Sequence, residues 1–460
     1  MIMSLYGLLA LSATFIAVRH LLRGSIHFLP TLGWCFLMLI PFVMQYPLFY
    51  PETRGYHGMV VATLTVIILC ADMIAHKTVP QPAGFTPSKA SLRIGYGLSI
   101  FYVALTVLHF ATAHSIPFFD AVESGYVNND TLNARIDFLR NYNAIPGIKY
   151  LFSMSTAIIG MPAVLLLWLH RRRFMALSLF FWILFYCVAS TAKGPLILTL
   201  VITAAGLIFT AHDQKRIKMG RAFLGLALAG ILTIAAITLN PASHTSIFTV
   251  FSHLDKKYGE PEMFRDDRKK LLGDYVRPRL DMPIDSCTNR ICRNADYLAY
   301  RIFITPIEVS ARWYEYFTAF PVKEISFSRN IHDSRSGIDR HPAQAVAIWA
   351  FAEPYPQAYS DATYAYPSMD ADAFGRFGWR GLVALMLAYF GLRLASIYFN
   401  DTRAVTGGVF YAVLVSLFAF LPPNAGIQAI ILAQGVGGGI AVLCALWAWP
   451  RLRRRYGRSA

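Results

Sequence analysis

Residues 147–212 read GIKYLFSMSTAIIGMPAVLLLWLHRRRFMALSLFFWILFYCVASTAKGPLILTLVITAAGLIFTAH. They decide the fold class. Three apolar runs, 147–169, 174–191 and 195–212, are separated by two short polar breaks. Each run is roughly 17–22 residues long, which is what an α-helix needs to cross the hydrocarbon core of a bilayer. The breaks differ in kind. One is Arg171-Arg172-Arg173, the other Ala192-Lys193-Gly194-Pro195.

Working outward, the same pattern recurs at 3–19, 28–50, 57–75, 93–113, 222–239, 379–398, 406–421 and 427–449, for eleven spans in all. Composition agrees: 56% of residues are hydrophobic, 15% are charged, and mean hydropathy is +0.45. Residues 1–18 lack a basic leader and a small-residue cleavage site, so they read as the first span and not as a removable signal. The expected class is an all-α polytopic membrane protein with three parts. Residues 1–239 form an amino-terminal bundle of about eight spans, 240–378 a large polar loop, and 379–460 a carboxyl-terminal group of about three spans with a basic tail.

The formal charge of +16 suggests a nucleic-acid partner, but the distribution excludes one. Basic residues cluster at span ends and do not line one polar face. On one set of short connections lie 19 Lys/Arg: Arg19, Arg23, Lys77, Lys89, Arg93, Arg171 to Arg173, Lys215, Arg216, Lys218, Arg221, Arg393, Arg403 and five in the tail. The opposite set carries 5: Arg54, Arg135, Arg140, Lys149 and Lys193. The positive-inside rule then puts the amino terminus and the 240–378 loop outside and the carboxyl terminus inside.

Of six cysteines, Cys35, Cys70, Cys187 and Cys444 fall inside spans, where they act as small apolar residues. Cys287 and Cys292 lie in the external loop, and an oxidising compartment favours their closing as a disulfide. No further His or Cys stands at zinc-site spacing, and the acidic residues are scattered, so neither a metal nor another cofactor is expected.

Three external elements carry candidate chemistry. In 114–146, Arg135 and Arg140 flank Asp137, Phe138 and Leu139, an arrangement that lets apolar groups enter the headgroup layer while guanidinium groups meet phosphate. The plainer reading is that the two arginines pin a loop to anionic lipid. Lys193 sits in a tight turn fixed by Gly194 and Pro195, on the side where lysine is disfavoured. Snorkelling is the plainer account, and binding of phosphate the sharper one. In the large loop, 297–320 reads as an amphipathic helix lying on or dipping into the membrane. Arg301, Thr305, Glu308 and Arg312 share one face, and Pro306 is expected to break or kink it. Residues 341–366 add His341, Glu353 and Asp361 among Trp349, Tyr355 and Tyr359, which suits a sugar-binding cleft as well as an aromatic membrane belt.

Four stretches together resemble the Wzy-type oligosaccharide repeat-unit polymerases of bacteria. They are NARIDFLR after span four, STAKGP between spans six and seven, a YR-bearing segment followed by an aromatic helix, and MDADAFGRFGWRGLVALMLAYFGLRL entering span nine. The resemblance covers the architecture of the whole length. It implies an inner-membrane glycosyltransferase that moves a growing glycan from one undecaprenyl diphosphate to a new lipid-linked repeat unit at the periplasmic face. Its partners would be lipid-linked oligosaccharides, membrane lipids, a chain-length regulator and a flippase, with no nucleic acid. Such chemistry needs cations for two diphosphates and a base for the attacking hydroxyl. Arg135, Arg140, Lys193, Arg301 and Arg312 are candidates for the first task. His341, Asp361 and Glu308 are candidates for the second, and Trp349, Tyr355, Tyr359 and Glu353 for sugar binding.

An O-antigen ligase would share this architecture. Another glycosyltransferase of the GT-C type would usually show an acidic pair in the first external loop, where Tyr50-Pro51-Glu52-Thr53-Arg54 has one acid. A flippase or transporter would be expected to show internal repeats and charges deep in the membrane, and neither is legible in the sequence.

Overall fold

The structure, a computed structural model, describes residues 2–45, 51–79, 88–113, 115–123, 138, 148–190, 193–210, 217–222, 305–322, 330–333, 337–347, 367–400, 404–423, 425–426 and 429–456. Most of them are helical. All but the first residue of the span-like segment 222–239 and most of the 240–378 loop lie outside the described residues.

The chain opens with α1 (Ile2–Leu22), whose Leu5, Leu8, Leu11, Phe15 and Leu22 point away from the bundle. A 3₁₀ turn (Ile26–Phe28) then leads into α2 (Leu29–Trp34), a π turn (Cys35–Leu39) and α3 (Ile40–Gln45), which run on as one rod. After it come α4 (Pro51–Thr78), α5 (Lys89–Thr112) and the short α6 (Pro117–Glu123). The quoted stretch forms α7 (Ile148–Ser155), a π turn (Thr156–Gly160), α8 (Met161–Leu169), α9 (Arg173–Ala189) and α10 (Lys193–Phe209).

Two of these π turns have a local cause. Pro41 and Pro162 each lie two residues past one, at the start of α3 and α8. A proline ring collides with the carbonyl four residues back and offers no N–H. A widened turn just upstream gives that ring room, so both rods pass through a proline without ending.

The remaining elements are α11 (Thr305–Ala319), a hairpin of β1 (Ile331–Asp333) and β2 (Ile338–Arg340), α12 (Pro342–Ala347), α13 (Met369–Tyr398), α14 (Val405–Phe420), a π turn (Ala429–Ala433) and α15 (Val436–Tyr456). The strands are antiparallel, with His332 opposite Asp339. Five helical segments among the described residues are long and apolar enough to cross a membrane: Ser4–Leu22, Ile26–Val43, Thr53–Thr78, Lys89–Thr112 and Met369–Tyr398. Five shorter apolar helices accompany them.

Packing is close where small residues meet. A Cβ on Gly33 of α2 would stand 2.1 Å from the Ala419 carbonyl oxygen of α14, so these helices touch backbone to backbone. α13 is bent at Gly378 (φ 61°, ψ −150°), a conformation open essentially to glycine. The bend divides a polar leading arm, 369–377, from the apolar trunk, 379–398.

The bundle has two chemically distinct ends. Arg23, Lys77, Lys89, the Arg171–Arg173 run and Arg221 gather at one, where Arg221 Nη2 reaches the Leu22 carbonyl at 2.6 Å. At the other, α11, the hairpin and the leading arm of α13 pack over the start of α4. One basic residue departs from the sequence reading. Arg393 does not lie in a connection; it is inside α13, fully buried, and its Nη2 lies 2.6 Å from Asp72 Oδ1 of α4. The expectation that charges are absent from span interiors is corrected with it. A periodicity reading sees each residue as an isolated charge near a helix end, whereas packing joins the two.

Candidate functional site

At the end away from the arginine-rich connections, α11 forms the centre of a folded polar layer. Its sequence, TPIEVSARWYEYFTA, was expected to form an amphipathic helix lying on or dipping into the membrane. The structure corrects this. Ile307, Ser310, Trp313, Tyr314 and Tyr316 are all at most 1% exposed, because α11 is wedged among α4, α12 and α13, so that protein covers both its apolar and its polar side chains here. The helix is described from Thr305 on, and residues 297–304 before Pro306 lie outside the described residues. Pro306 stands in the first turn, where a missing N–H removes no intrahelical bond.

Neighbouring helices bind α11 through specific polar contacts. The Tyr314 hydroxyl donates to Asp370 Oδ2 at 3.0 Å, and Ser310 and Ser368 share a hydrogen bond of 2.8 Å. Tyr56 of α4 pairs with Thr318 at 2.6 Å, and the His57 ring lies 4.4 Å from that of Tyr314. Phe374 and Trp379 complete this aromatic cluster around Tyr56. On the far side, Tyr316 donates to Asp333 of the hairpin, whose other oxygen stands 3.4 Å from Arg340.

The leading arm of α13, MDADAFGR, is buried throughout. Asp372 and Arg376, one helical turn apart, form an ion pair of 2.9 Å with both side chains at most 6% exposed. Loop residue Gly426 lies against Asp372, so closely that a Cβ would come within 2.5 Å of its carboxylate. Two turns before the bend, Asp370 sits among the free N–H groups at the helix start. Burial raises its carboxyl above the ordinary range, against the opposing pull of hydrogen bonds from Ser368, Tyr314 and the backbone. Burial also raises the Tyr314 hydroxyl, and proximity to the Asp370 carboxylate adds to that.

Among the residues singled out from sequence, Arg312 and His341 have described side chains. Arg312 pairs with Glu315 at 3.2 Å along α11 and is 12% exposed. His341 caps α12, its Nδ1 accepting from the Ala343 N–H at 3.1 Å. That contact requires an unprotonated Nδ1 and so favours the tautomer with the proton on Nε2. Lys193 begins α10 and Glu308 lies in α11, but their side chains are outside the described residues, as are Arg135, Arg140, Arg301, Trp349, Glu353, Tyr355, Tyr359, Asp361, Cys287 and Cys292 in full.

Phe138, between Arg135 and Arg140 in sequence, is described. Its ring stacks on His109 at 4.1 Å and its carbonyl accepts from His109 Nε2 at 3.0 Å, while His109 Nδ1 pairs with the Tyr186 hydroxyl at 2.7 Å. The arginine-bearing segment is thereby tied at one point to the ends of α5 and α9, four residues past which α10 begins with Lys193.

Asp370, Asp372, Arg376, Glu315 and Tyr314, which build this layer, did not stand out in the sequence. A signal was available: three charges in a stretch leading into a span, two of them four residues apart. Chemically, the described layer is a rigid, internally paired scaffold with Arg312 near its surface. Among the described residues no group of three or more His, Cys, Asp or Glu is placed to hold a metal ion. The chain matches no protein-family model, no curated protein and no solved structure.

Proposed function

We propose that the protein is a membrane glycosyltransferase that polymerises undecaprenyl-diphosphate-linked oligosaccharide repeat units at the periplasmic face of the bacterial inner membrane. Eleven spans, an external amino terminus and an internal carboxyl terminus belong to the same proposal. The observation that carries it is the buried charged and aromatic layer built on one end of an apolar helix bundle, opposite the arginine-rich end. A pore or a simple anchor has no need of such a layer. An enzyme working on lipid-borne sugars needs a rigid floor at headgroup depth on which mobile diphosphates and sugars are oriented. In this reading Arg312, with Arg135, Arg140, Lys193 and Arg301, neutralises the two diphosphates, which repel each other when brought together. His341, Asp361 or Glu308 removes the proton of the attacking hydroxyl.

The test is deletion of the gene in its source bacterium, with surface polysaccharide separated on a gel. Collapse of a ladder to a single repeat unit is the expected result. Complete loss of attached polysaccharide would point instead to the ligase. Accumulation of lipid-linked units on the cytoplasmic side would point to a flippase, a reading that the buried Asp72–Arg393 pair makes worth testing.

A further inference from the structure

Near the arginine-rich end, side chains from four α-helices and the 3₁₀ turn gather into a ring. Thr31, in the first turn of α2, gives its N–H and hydroxyl to Asp72 Oδ2 at 3.0 and 2.8 Å. Asp72 Oδ1 takes Arg393 Nη2 at 2.6 Å. The Tyr411 hydroxyl of α14 lies within electrostatic reach of the Arg393 guanidinium and pairs with His27 Nδ1 at 2.8 Å. His27 stands four residues before Thr31, which closes the ring. Asp72, Arg393, His27 and Tyr411 are all fully buried, and Tyr389 is 2% exposed.

The ring leaves polar atoms over. Four buried side-chain atoms here have no hydrogen-bond partner: Arg393 Nε, Arg393 Nη1, the Tyr389 hydroxyl and His27 Nε2. Tyr389 and Arg393 lie one turn apart on α13 and both pack on Phe418, with the guanidinium carbon 5.1 Å from that ring's centre and the Tyr389 ring 5.5 Å from it. The orphaned atoms of Tyr389 and Arg393 therefore meet at one place beside Phe418. An apolar interior does not leave so many donors bare without loss, and water bridging several such groups is the usual remedy.

We infer that the ring formed by Thr31, Asp72, Arg393, Tyr411 and His27 encloses an internal hydration site holding ordered water among α2, α4, α13 and α14. Charge decides in favour of water over a small anion. Asp72 and Arg393 already cancel, so a bound anion would bring an uncompensated charge into the interior. Water, able to donate and accept, satisfies the guanidinium edges and the Tyr389 hydroxyl with no net charge. The inference is independent of the proposed glycosyl transfer.

Radiolytic hydroxyl-radical labelling of the whole wild-type protein in nanodiscs tests it, since buried side chains react in proportion to water held beside them. Tyr102 is the control: it is fully buried and its hydroxyl is bonded to Thr156, away from the ring, whereas the Tyr389 hydroxyl has no protein partner. The expected result is labelling of Tyr389 and Tyr411 several-fold faster than of Tyr102, with ¹⁸O incorporated when the solvent is H₂¹⁸O. Equal, slow labelling of all three tyrosines would overturn the inference. So would slow labelling together with a gain in thermal stability when chloride replaces gluconate, which would assign the site to an anion. Tyr389→Phe removes one orphaned hydroxyl without touching the ion pair. It should fold normally and slow the labelling of Tyr411, and an unchanged rate would also count against the site.

Discussion

Asp72→Ala removes one carboxylate from the bundle interior and exposes how much depends on it. Its two oxygens take three hydrogen bonds, one from Arg393 and two from Thr31, and neither member of the ion pair has any exposed surface. Loss of the carboxylate strands the guanidinium, which typically costs about 3–5 kcal/mol. It also leaves the Thr31 N–H, in the first turn of α2, without its acceptor, a further cost of about 1–3 kcal/mol. The cap residue of that helix, Phe28, offers no side-chain substitute. These costs overlap, so a loss of roughly 4–6 kcal/mol is expected, a large share of the stability of an ordinary domain. Arg393→Met should cost less, because the stranded Asp72 can take up a proton whereas a guanidinium does not release one. The double substitution Asp72→Ala with Arg393→Met should recover the part of the loss that comes from the stranded guanidinium, since apolar replacement of a buried pair is often neutral. Steric-trap or denaturant unfolding of the four proteins in mixed micelles measures the cycle. Additive effects, or single substitutions within about 1 kcal/mol of the wild type, would refute the reasoning.

Gly378→Ala should destabilise by about 1–3 kcal/mol, because φ 61° with ψ −150° suits glycine alone, whereas Gly391→Ala on the same helix, with open space around it, should be neutral or slightly stabilising. Equal melting shifts for the two would argue against the bend. Gly33→Ala should lower thermal stability by an amount on the order of 1–3 kcal/mol or more, since its methyl would collide with the Ala419 carbonyl and force α2 from α14. A fully stable variant would contradict that packing. The pH dependence follows from Asp370, whose proton is held more tightly in the folded protein than in the unfolded chain. Its stabilising contribution is therefore complete below the ordinary value of 3.8 and is lost as pH rises through the raised folded value. Proteolysis of the α11 region across pH should show this slope in the wild type and a flatter one in Asp370→Asn, and identical profiles would remove Asp370 from the account.

The bundle itself was legible because its signal is local. A run of apolar residues as long as a bilayer is thick, ended by arginines, identifies a helix without knowledge of its neighbours, as 57–75 and 93–113 illustrate within α4 and α5. Local chemistry also placed Arg171 and Arg172 between α8 and α9, with Arg173 opening α9. The π turns were less plain, although Pro41 and Pro162 mark them once the collision of a proline ring with the turn before it is considered.

What sequence periodicity alone did not decide is which polar groups meet. Asp72 and Arg393 are 321 residues apart, and each looks like a charge near a helix end until packing brings them to 2.6 Å. Likewise α11 has the alternating faces of a surface helix, yet Tyr314 finds Asp370 and Ser310 finds Ser368, so its polar side is satisfied by protein and not by water. Helical periodicity reports only that one face differs from the other. Whether the polar face meets solvent, a headgroup or a second helix depends on contacts between distant segments, and those belong to the tertiary structure.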